Sequence, residues 1–140
     1  MKKFEFSLQR VLDYRQMVAE WARDAYLEAR KRLEDAQAGL VEIDDRRRRA
    51  SESAAATVSE LLDHERYRVR LDDERRAQET IIAILDQEVE AAYRAWVEKR
   101  IEAEALEKLR EQALAEYEEE ARRAEQRELD EWAVLRRRAA

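Results

Sequence analysis

The sequence predicts an all-α protein: a long antiparallel two-helix coiled-coil hairpin with a longer, projecting C-terminal helix. The 140 residues include no Pro and one Gly, and 44 % of them are charged. An ordinary globular domain is about a quarter charged and carries several per cent each of Gly and Pro. With so few turn-forming residues, the chain cannot make the many tight turns of a sheet protein. Its apolar residues also recur at alternating spacings of three and four, the pattern of a coiled-coil seam.

The first helix is predicted over residues 7–52. Ser7 suits an N-cap, and Phe6 and Val11 occupy the two positions of a hydrophobic staple. From Leu8 to His64, thirteen of the seventeen positions at coiled-coil spacing are apolar. Much of this stripe is alanine, which buries little area, so we expect a thin two-helix seam rather than a multi-layer core.

The hairpin turn is predicted within residues 51–59, the only stretch dense in Ser and Thr. Thr57 followed by Glu60 fits a capping box, which marks the start of a new helix. The second helix is then predicted over residues 58–137, where the positive charge of Arg136, Arg137 and Arg138 suits a helix C-terminus. The alternative is one unbroken helix through this region. We expect the whole of residues 1–140 to form a single coiled-coil domain.

These boundaries give arms of unequal length, roughly 70 Å and roughly 120 Å at 1.5 Å per residue. The first arm can then cover the second only to about residue 105, and the last thirty or so residues should project as a single helix. Residues 104–131 hold eleven acids and five bases, an excess of six negative charges that equals the net charge of the whole chain. Because such a helix is marginal alone in water, we expect it to dock on a partner.

Composition excludes several classes of function. A net charge of −6 argues against nucleic acid as the main partner. The chain has no Cys and no glycine-rich loop, and its many carboxylates lie on exposed helix faces, so we expect no catalysis, no cofactor and no metal. His64 lies near Glu60 and Glu65, but we interpret it as a solvent-facing or seam-edge side chain. No signal peptide or membrane span is predicted, since the longest apolar run is Ile81–Leu85.

The aromatic residues divide into two groups. Tyr26 and Trp96 fall on the seam and are predicted to be core residues. Trp21 falls just off the seam, and Trp132 lies in the projecting end beside Leu129. A Trp on an unpaired helix end is a natural anchor for a protein contact. The alternative for Trp132 is packing on an undetected tail of the first arm.

Four segments of the chain are similar to the flagellar export protein family FliJ. These are Phe4-x-Phe6-x-Leu8-x-x-Val11-Leu12, Tyr67-x-x-x-Leu71, Ala105-Leu-Glu-Lys-Leu-Arg-Glu111 and Glu125-Gln-Arg-Glu-Leu-Asp-Glu-Trp-Ala133. The last segment, at its distance behind the third, is the most specific. The similarity is spread over nearly the whole chain.

The resemblance implies a non-enzymatic component of the bacterial flagellar type III export apparatus, which serves motility. FliJ-like proteins are two-helix coiled coils similar to the central stalk of rotary ATPases. The implied partners are the hexameric export ATPase (FliI-like), whose ring assembly they promote, the cytoplasmic domain of the export gate (FlhA-like) and export chaperones. The implied location is the cytoplasm, peripheral at the inner membrane through the apparatus, with the chain as a monomer.

The resemblance also implies two sets of contact residues. Those expected to contact the ATPase ring are Leu109, Arg110, Glu111, Leu129, Asp130, Glu131 and Trp132. Phe4 and Phe6 are further ring candidates. Those expected to contact the export gate are Tyr67, Leu71 and Gln78, although they could instead simply line the coiled coil. Two alternatives share the architecture: the stalk of a virulence type III secretion ATPase or of another rotary ATPase, and a generic structural coiled coil that forms homodimers.

Overall fold

A computed structural model describes residues 2–139 and contains two α-helices and no strand within that range. Helix α1 spans Gln9–Glu52 and helix α2 spans Val58–Ala139. The two helices form a hairpin, which confirms the predicted fold class. The chain divides into two compact units. One combines the residues up to Ala19 with those from Glu98 onward (the terminal unit), and the other comprises Glu20–Val97 (the hairpin unit). That residues 1–140 form one domain stays a prediction.

Helix α1 begins slightly later than an N-cap at Ser7 would place it. The first α-helical bond runs from the N–H of Leu12 to the carbonyl of Leu8, at 2.9 Å. The N–H of Gln9 donates to the carbonyl of Phe6 at 3.1 Å, which closes a tight turn just before the helix. Leu8 therefore takes the N-cap position, because the N-cap carbonyl accepts the first helical bond.

Helix α2 begins at a side-chain cap supplied by Thr57 and Glu60. The N–H of Glu60 donates to Thr57 Oγ1 at 3.2 Å, and the N–H of Leu61 donates to the Thr57 carbonyl at 3.0 Å. The Glu60 carboxylate accepts from the N–H of Ala56 at 2.7 Å, one residue before the amide of an ideal capping box. These bonds end the non-helical stretch of residues 53–57, which rules out one unbroken helix.

The hairpin unit has a thin seam, as its alanine-rich stripe predicts. Its buried apolar residues are Ala29, Ala36, Ile43 and Leu71. At the end of this unit away from the turn lies an aromatic cluster of Tyr26, Tyr93 and Trp96. The ring of Tyr26 lies 5.5 Å from that of Trp96, stacked, and 5.4 Å from that of Tyr93. Tyr26 and Trp96 therefore pack together at the seam, but both are half-buried rather than the buried core residues that were predicted.

Near the turn, ion pairs between α1 and α2 form beside the apolar contacts. Arg75 Nε donates to Asp44 Oδ1 at 2.8 Å, and Arg46 lies 3.4 Å from Glu74. Arg47 Nη2 lies 2.7 Å from Asp72 Oδ1, as an ion pair rather than an aligned hydrogen bond, since that oxygen makes no hydrogen bond. Near the turn the seam therefore combines the buried Ile43 and Leu71 with half-buried ion pairs on either side, and partly exposed pairs of this kind contribute little stability each.

The one glycine of the chain lies inside helix α1 and admits a side chain of α2. Gln78 Nε2 donates to the Ala36 carbonyl at 2.7 Å. A Cβ on Gly39 would meet that same Nε2 atom at 3.0 Å. The absence of a side chain at position 39 thus lets a seam glutamine reach the backbone of the facing helix.

In the terminal unit, the first turns of α1 pair with α2 through polar contacts around a small apolar centre. Leu12 and Ala103 are buried. Arg15 Nη1 donates to Glu102 Oε2 at 2.8 Å, and Gln16 Nε2 donates to Glu107 Oε1 at 2.9 Å. Gln9 faces Arg110, whereas Arg15, farther along α1, faces Glu102, so the two helices run antiparallel.

Candidate functional site

The segment before α1 lies against α2 and extends the pairing. We call residues 2–7 the N-terminal strap. The ring of Phe4 lies 5.5 Å from the ring of Tyr117, and the Arg110 guanidinium lies 5.5 Å from the Phe4 ring centre. The Tyr117 hydroxyl donates to the Lys2 carbonyl, and Arg110 Nε donates to Gln9 Oε1 at 3.0 Å. The strap is therefore held by ring packing, a cation–π contact and hydrogen bonds.

Because of the strap, the covered part of α2 extends farther along the helix than predicted. The sequence predicted that α1 covers α2 only to about residue 105, and this boundary is wrong. Contacts continue through Arg110 to Tyr117, and Ala124 is the last half-buried residue of α2. The prediction counted helical length alone, whereas the strap is non-helical and covers more of α2 per residue than a helix does.

Beyond this point every side chain from residue 125 to residue 139 is exposed, and we call this stretch the C-terminal tract. Its apolar side chains include Trp132, 62 % exposed, with Leu129 at 55 % and Leu135 at 63 %. A shallow groove on its surface is lined by Asp130, Glu131, Val134 and Leu135. The alternative that Trp132 packs on a tail of the first arm is wrong, since its described neighbour is Arg136, 5.2 Å from its ring centre.

The seven residues expected to contact the ATPase ring fall into two groups on the terminal unit. Leu129, Asp130, Glu131 and Trp132 all lie on the C-terminal tract. Leu109 and Glu111 are exposed, and Leu109 is 46 % exposed. Arg110 between them is half-buried and engaged with Phe4 and Gln9, so its side chain contributes first to holding the strap.

The three residues expected to contact the export gate lie on α2 in the hairpin unit and differ in exposure. Leu71 is fully buried, with a relative exposure of 0 %. Gln78 is half-buried and bonded to the Ala36 carbonyl. Tyr67 is 37 % exposed, with the Arg70 guanidinium 5.9 Å from its ring centre. In the paired hairpin only Tyr67 presents much of its side chain, so a gate contact by all three stays a prediction.

The packing of the strap against α2 was not predicted from the sequence. Phe4 and Phe6 were considered as ring contacts, yet both are half-buried in the terminal unit. The alternation of Phe4, Phe6 and Leu8 before the helix was the available signal, because alternating apolar residues are typical of an extended segment packed on one side. Nothing in the local sequence indicated Tyr117 as its partner.

The described residues give no further chemical site. Within residues 2–139 no group of three or more His, Asp and Glu side chains is arranged to hold a metal ion. The Glu60 carboxylate beside His64 is occupied in capping α2. Neither of the two helices has an apolar stretch long enough to cross a membrane in its described part.

Comparison with known proteins identifies the family to which this chain belongs. The family model described as "Flagellar FliJ protein" matches residues 4–140, nearly the whole chain. The chain belongs to the FliJ family. No curated protein and no solved structure matches it. The matched range includes the strap from Phe4 onward, the paired helices and the C-terminal tract.

Family membership fixes the broad function of this FliJ-family chain. It is a non-enzymatic, export-associated protein of flagellum biogenesis. It therefore acts through the surfaces it presents to other proteins. The exposed surfaces described here are the C-terminal tract, the flank of α2 at Leu109 and Glu111, and Tyr67 near the turn.

Proposed function

We propose that this chain is the stalk of the flagellar export ATPase, and that its C-terminal tract makes the main contact with the ATPase ring. The chain would promote assembly of the ring and link it to the export gate and to export chaperones. Its place is the cytoplasmic side of the inner membrane, held there through the apparatus. The observation that carries the proposal is the exposure of every side chain of the tract, including Trp132 and Leu129.

The composition of the tract supports a protein contact. Trp is the residue most enriched at the energetic centres of interfaces, and an exposed Trp surrounded by aliphatic side chains has no stabilising role in the free protein. Trp132 lies among Leu129, Val134 and Leu135, all exposed. The acidic residues Asp130 and Glu131 border these side chains. A partner surface with an apolar pocket and a basic rim would complement this arrangement.

The flank of α2 near the strap supports a second, smaller contact. Leu109 and Glu111 are exposed on the same unit as the tract. Arg110 between them fixes the strap, so its loss would act on the strap rather than directly on a partner. For the gate, the exposed ring of Tyr67 is the candidate that needs no opening of the helix pair.

The proposal is tested by measuring binding of the full chain to the purified export ATPase of the same organism. Trp132→Ala should weaken binding by roughly tenfold or more, since truncation of a Trp anchor at an interface commonly costs about 2 kcal/mol or more of binding free energy. Helicity and melting temperature should stay nearly unchanged, because Trp132 contacts little within the chain.

Trp21→Ala supplies the matched control. Trp21 is exposed to a similar extent, 58 %, but lies on α1 in the hairpin unit. It should leave ATPase binding unchanged. Equal losses for both variants, or no binding by the wild-type chain, would refute the proposed contact. A large fall in melting temperature for Trp132→Ala would show that this residue is structural.

A further inference from the structure

The C-terminal tract is acidic in its first half and basic at its end, so its charges are complementary to those of a second copy that runs in the opposite direction. Residues 125–131 carry four acids and one base: Glu125, Glu128, Asp130, Glu131 and Arg127. The three residues Arg136–Arg138 carry three positive charges. The first half is therefore negative by three and the last turn is positive by three. Between the two lie the exposed side chains of Trp132 and Leu135.

We propose that two copies of this chain associate through their C-terminal tracts, side by side and antiparallel. In that arrangement the acidic half of each tract lies alongside the basic end of the other. A parallel arrangement would instead place acidic half beside acidic half and basic end beside basic end. Charge complementarity therefore selects a second, antiparallel copy as the occupant of this face.

The apolar side chains of the tract suit the same arrangement. Glu128, Trp132, Leu135 and Ala139 follow one another at spacings of four, three and four, so they share one face of the helix. With the pairing centred between residues 132 and 135, Trp132 of each copy packs beside Leu135 of the second copy. Two indole rings and two leucine side chains, all exposed in the single chain, then become buried.

The residues at the two ends of this row, Glu128 and Ala139, also face each other across the pair. The same centre brings Glu128 of one copy level with Ala139 of the other, at the edge of the apolar contact. The intrachain ion pairs that occupy other acids of this region do not compete. Glu119 pairs with Arg123 and Glu120 with Arg127, so neither pair involves Glu128, Asp130 or Glu131. Asp130 accepts a hydrogen bond from neutral Gln126 at 3.0 Å and keeps its charge; it lies on the opposite side of the helix from this row, so it adds to the negative charge of the tract without touching the second copy.

The contact is short, about fifteen residues from each copy, so the association should be reversible and sensitive to salt. It does not depend on the proposed ATPase contact. The two would nevertheless exclude each other, because both use Trp132. Self-association would then keep an exposed Trp covered until a ring is present.

Charge reversal in mixed pairs tests the proposal by sedimentation equilibrium of the full chain at micromolar to millimolar concentration. One variant carries Arg136→Glu, Arg137→Glu and Arg138→Glu, and the other carries Glu128→Lys, Asp130→Lys and Glu131→Lys. Each variant alone should associate at least roughly tenfold more weakly than wild type, the loss expected when several exposed ion pairs are replaced by repulsion. An equimolar mixture of the two should regain association, since both ends of the mixed pair are again complementary. Wild-type chain that stays monomeric throughout, or association that neither variant changes, would overturn the proposal.

Disulfide trapping tests the direction of the pairing. The chain has no cysteine, so an introduced one is unique. Glu128→Cys and Ala139→Cys leave the apolar residues in place, and mixing the two variants should give the mixed disulfide in excess over random pairing. An excess of the two symmetric disulfides would show a parallel pair and overturn the antiparallel contact. Trp132→Ala should abolish the self-association, whereas Trp21→Ala should leave it unchanged.

Discussion

At the scale of single residues, the seam holds one polar contact that depends on a glycine. Gln78 reaches the Ala36 carbonyl across the space that a Cβ at position 39 would narrow. A glycine within a helix costs about 1 kcal/mol relative to alanine. A net hydrogen bond contributes about the same amount. The two effects therefore oppose each other at this site.

Gly39→Ala should consequently change the free energy of unfolding little in the wild-type chain. In a Gln78→Ala background the same substitution should stabilise by about 1 kcal/mol, because the helix gains propensity and no side chain has to move. Urea unfolding of the four chains measures the coupling. Equal effects of Gly39→Ala in both backgrounds would show that Gln78 does not depend on the glycine.

Asp44 gives the hairpin unit a pH-dependent contact. The hydrogen bond from Arg75 lowers the pKa of the Asp44 carboxyl below its ordinary 3.8, and the charges of Arg75 and Arg47 act in the same direction. Because the folded-state pKa lies below the unfolded one, the contribution to stability is full above pH 3.8. It is lost as the pH falls through the lowered folded-state pKa.

Asp44→Asn should therefore lower the melting temperature at neutral pH, and the difference from wild type should shrink as the pH falls below 3.8. Thermal melts at a series of pH values measure this difference. Asp86→Asn is the control, since Asp86 is an exposed acid on α2 in the same hairpin unit and forms no ion pair within residues 2–139. A difference between Asp44→Asn and wild type that is independent of pH would contradict the role of the ion pair.

At the scale of elements, the sequence predicted the paired helices better than it predicted what covers them. The three–four spacing identified the buried positions Leu12, Ala29, Ala36 and Ile43, because burial in a two-helix seam depends mainly on periodicity. Ion pairs such as Arg75 with Asp44 were not predicted. They depend on which turns of the two helices face each other, and the composition of a charged helix does not fix that register.

Phe4 makes the main side-chain contacts that hold the strap against α2. Phe4→Ala removes the ring contact with Tyr117 and the cation–π contact with Arg110. The amides of the first turn of α1 should then exchange with solvent faster, because the bond from the Gln9 N–H to the Phe6 carbonyl is no longer held in place. The global melting temperature should change little, since the strap lies at one end of the pairing.

Hydrogen exchange of the full chain measures this loosening. Glu5→Ala serves as the control, because Glu5 is exposed between the two phenylalanines. It should leave exchange in the first turn of α1 as in wild type. First-turn amides that exchange at the wild-type rate in Phe4→Ala would show that the strap is held by something other than Phe4.

At the scale of the whole molecule, the fold class and the family were within reach of the sequence, while the extent of the candidate site was not. The acidic excess over residues 104–131 indicated a docking segment. Packing of the strap on Tyr117 then moves the uncovered part to residues 125–139. That packing joins residues more than a hundred positions apart, and no local pattern encodes such a contact. Leu71 illustrates the same limit, since a motif resemblance carries no information on burial.

We propose that the C-terminal tract joins this chain to the export ATPase and promotes assembly of the ATPase ring. Sedimentation velocity of the ATPase with nucleotide, alone and with the full chain, tests this claim most directly. The wild-type chain should shift the ATPase toward a hexamer that contains the chain, whereas a Leu129→Ala, Trp132→Ala variant should not. An ATPase whose oligomeric distribution is the same with and without the wild-type chain would contradict the account.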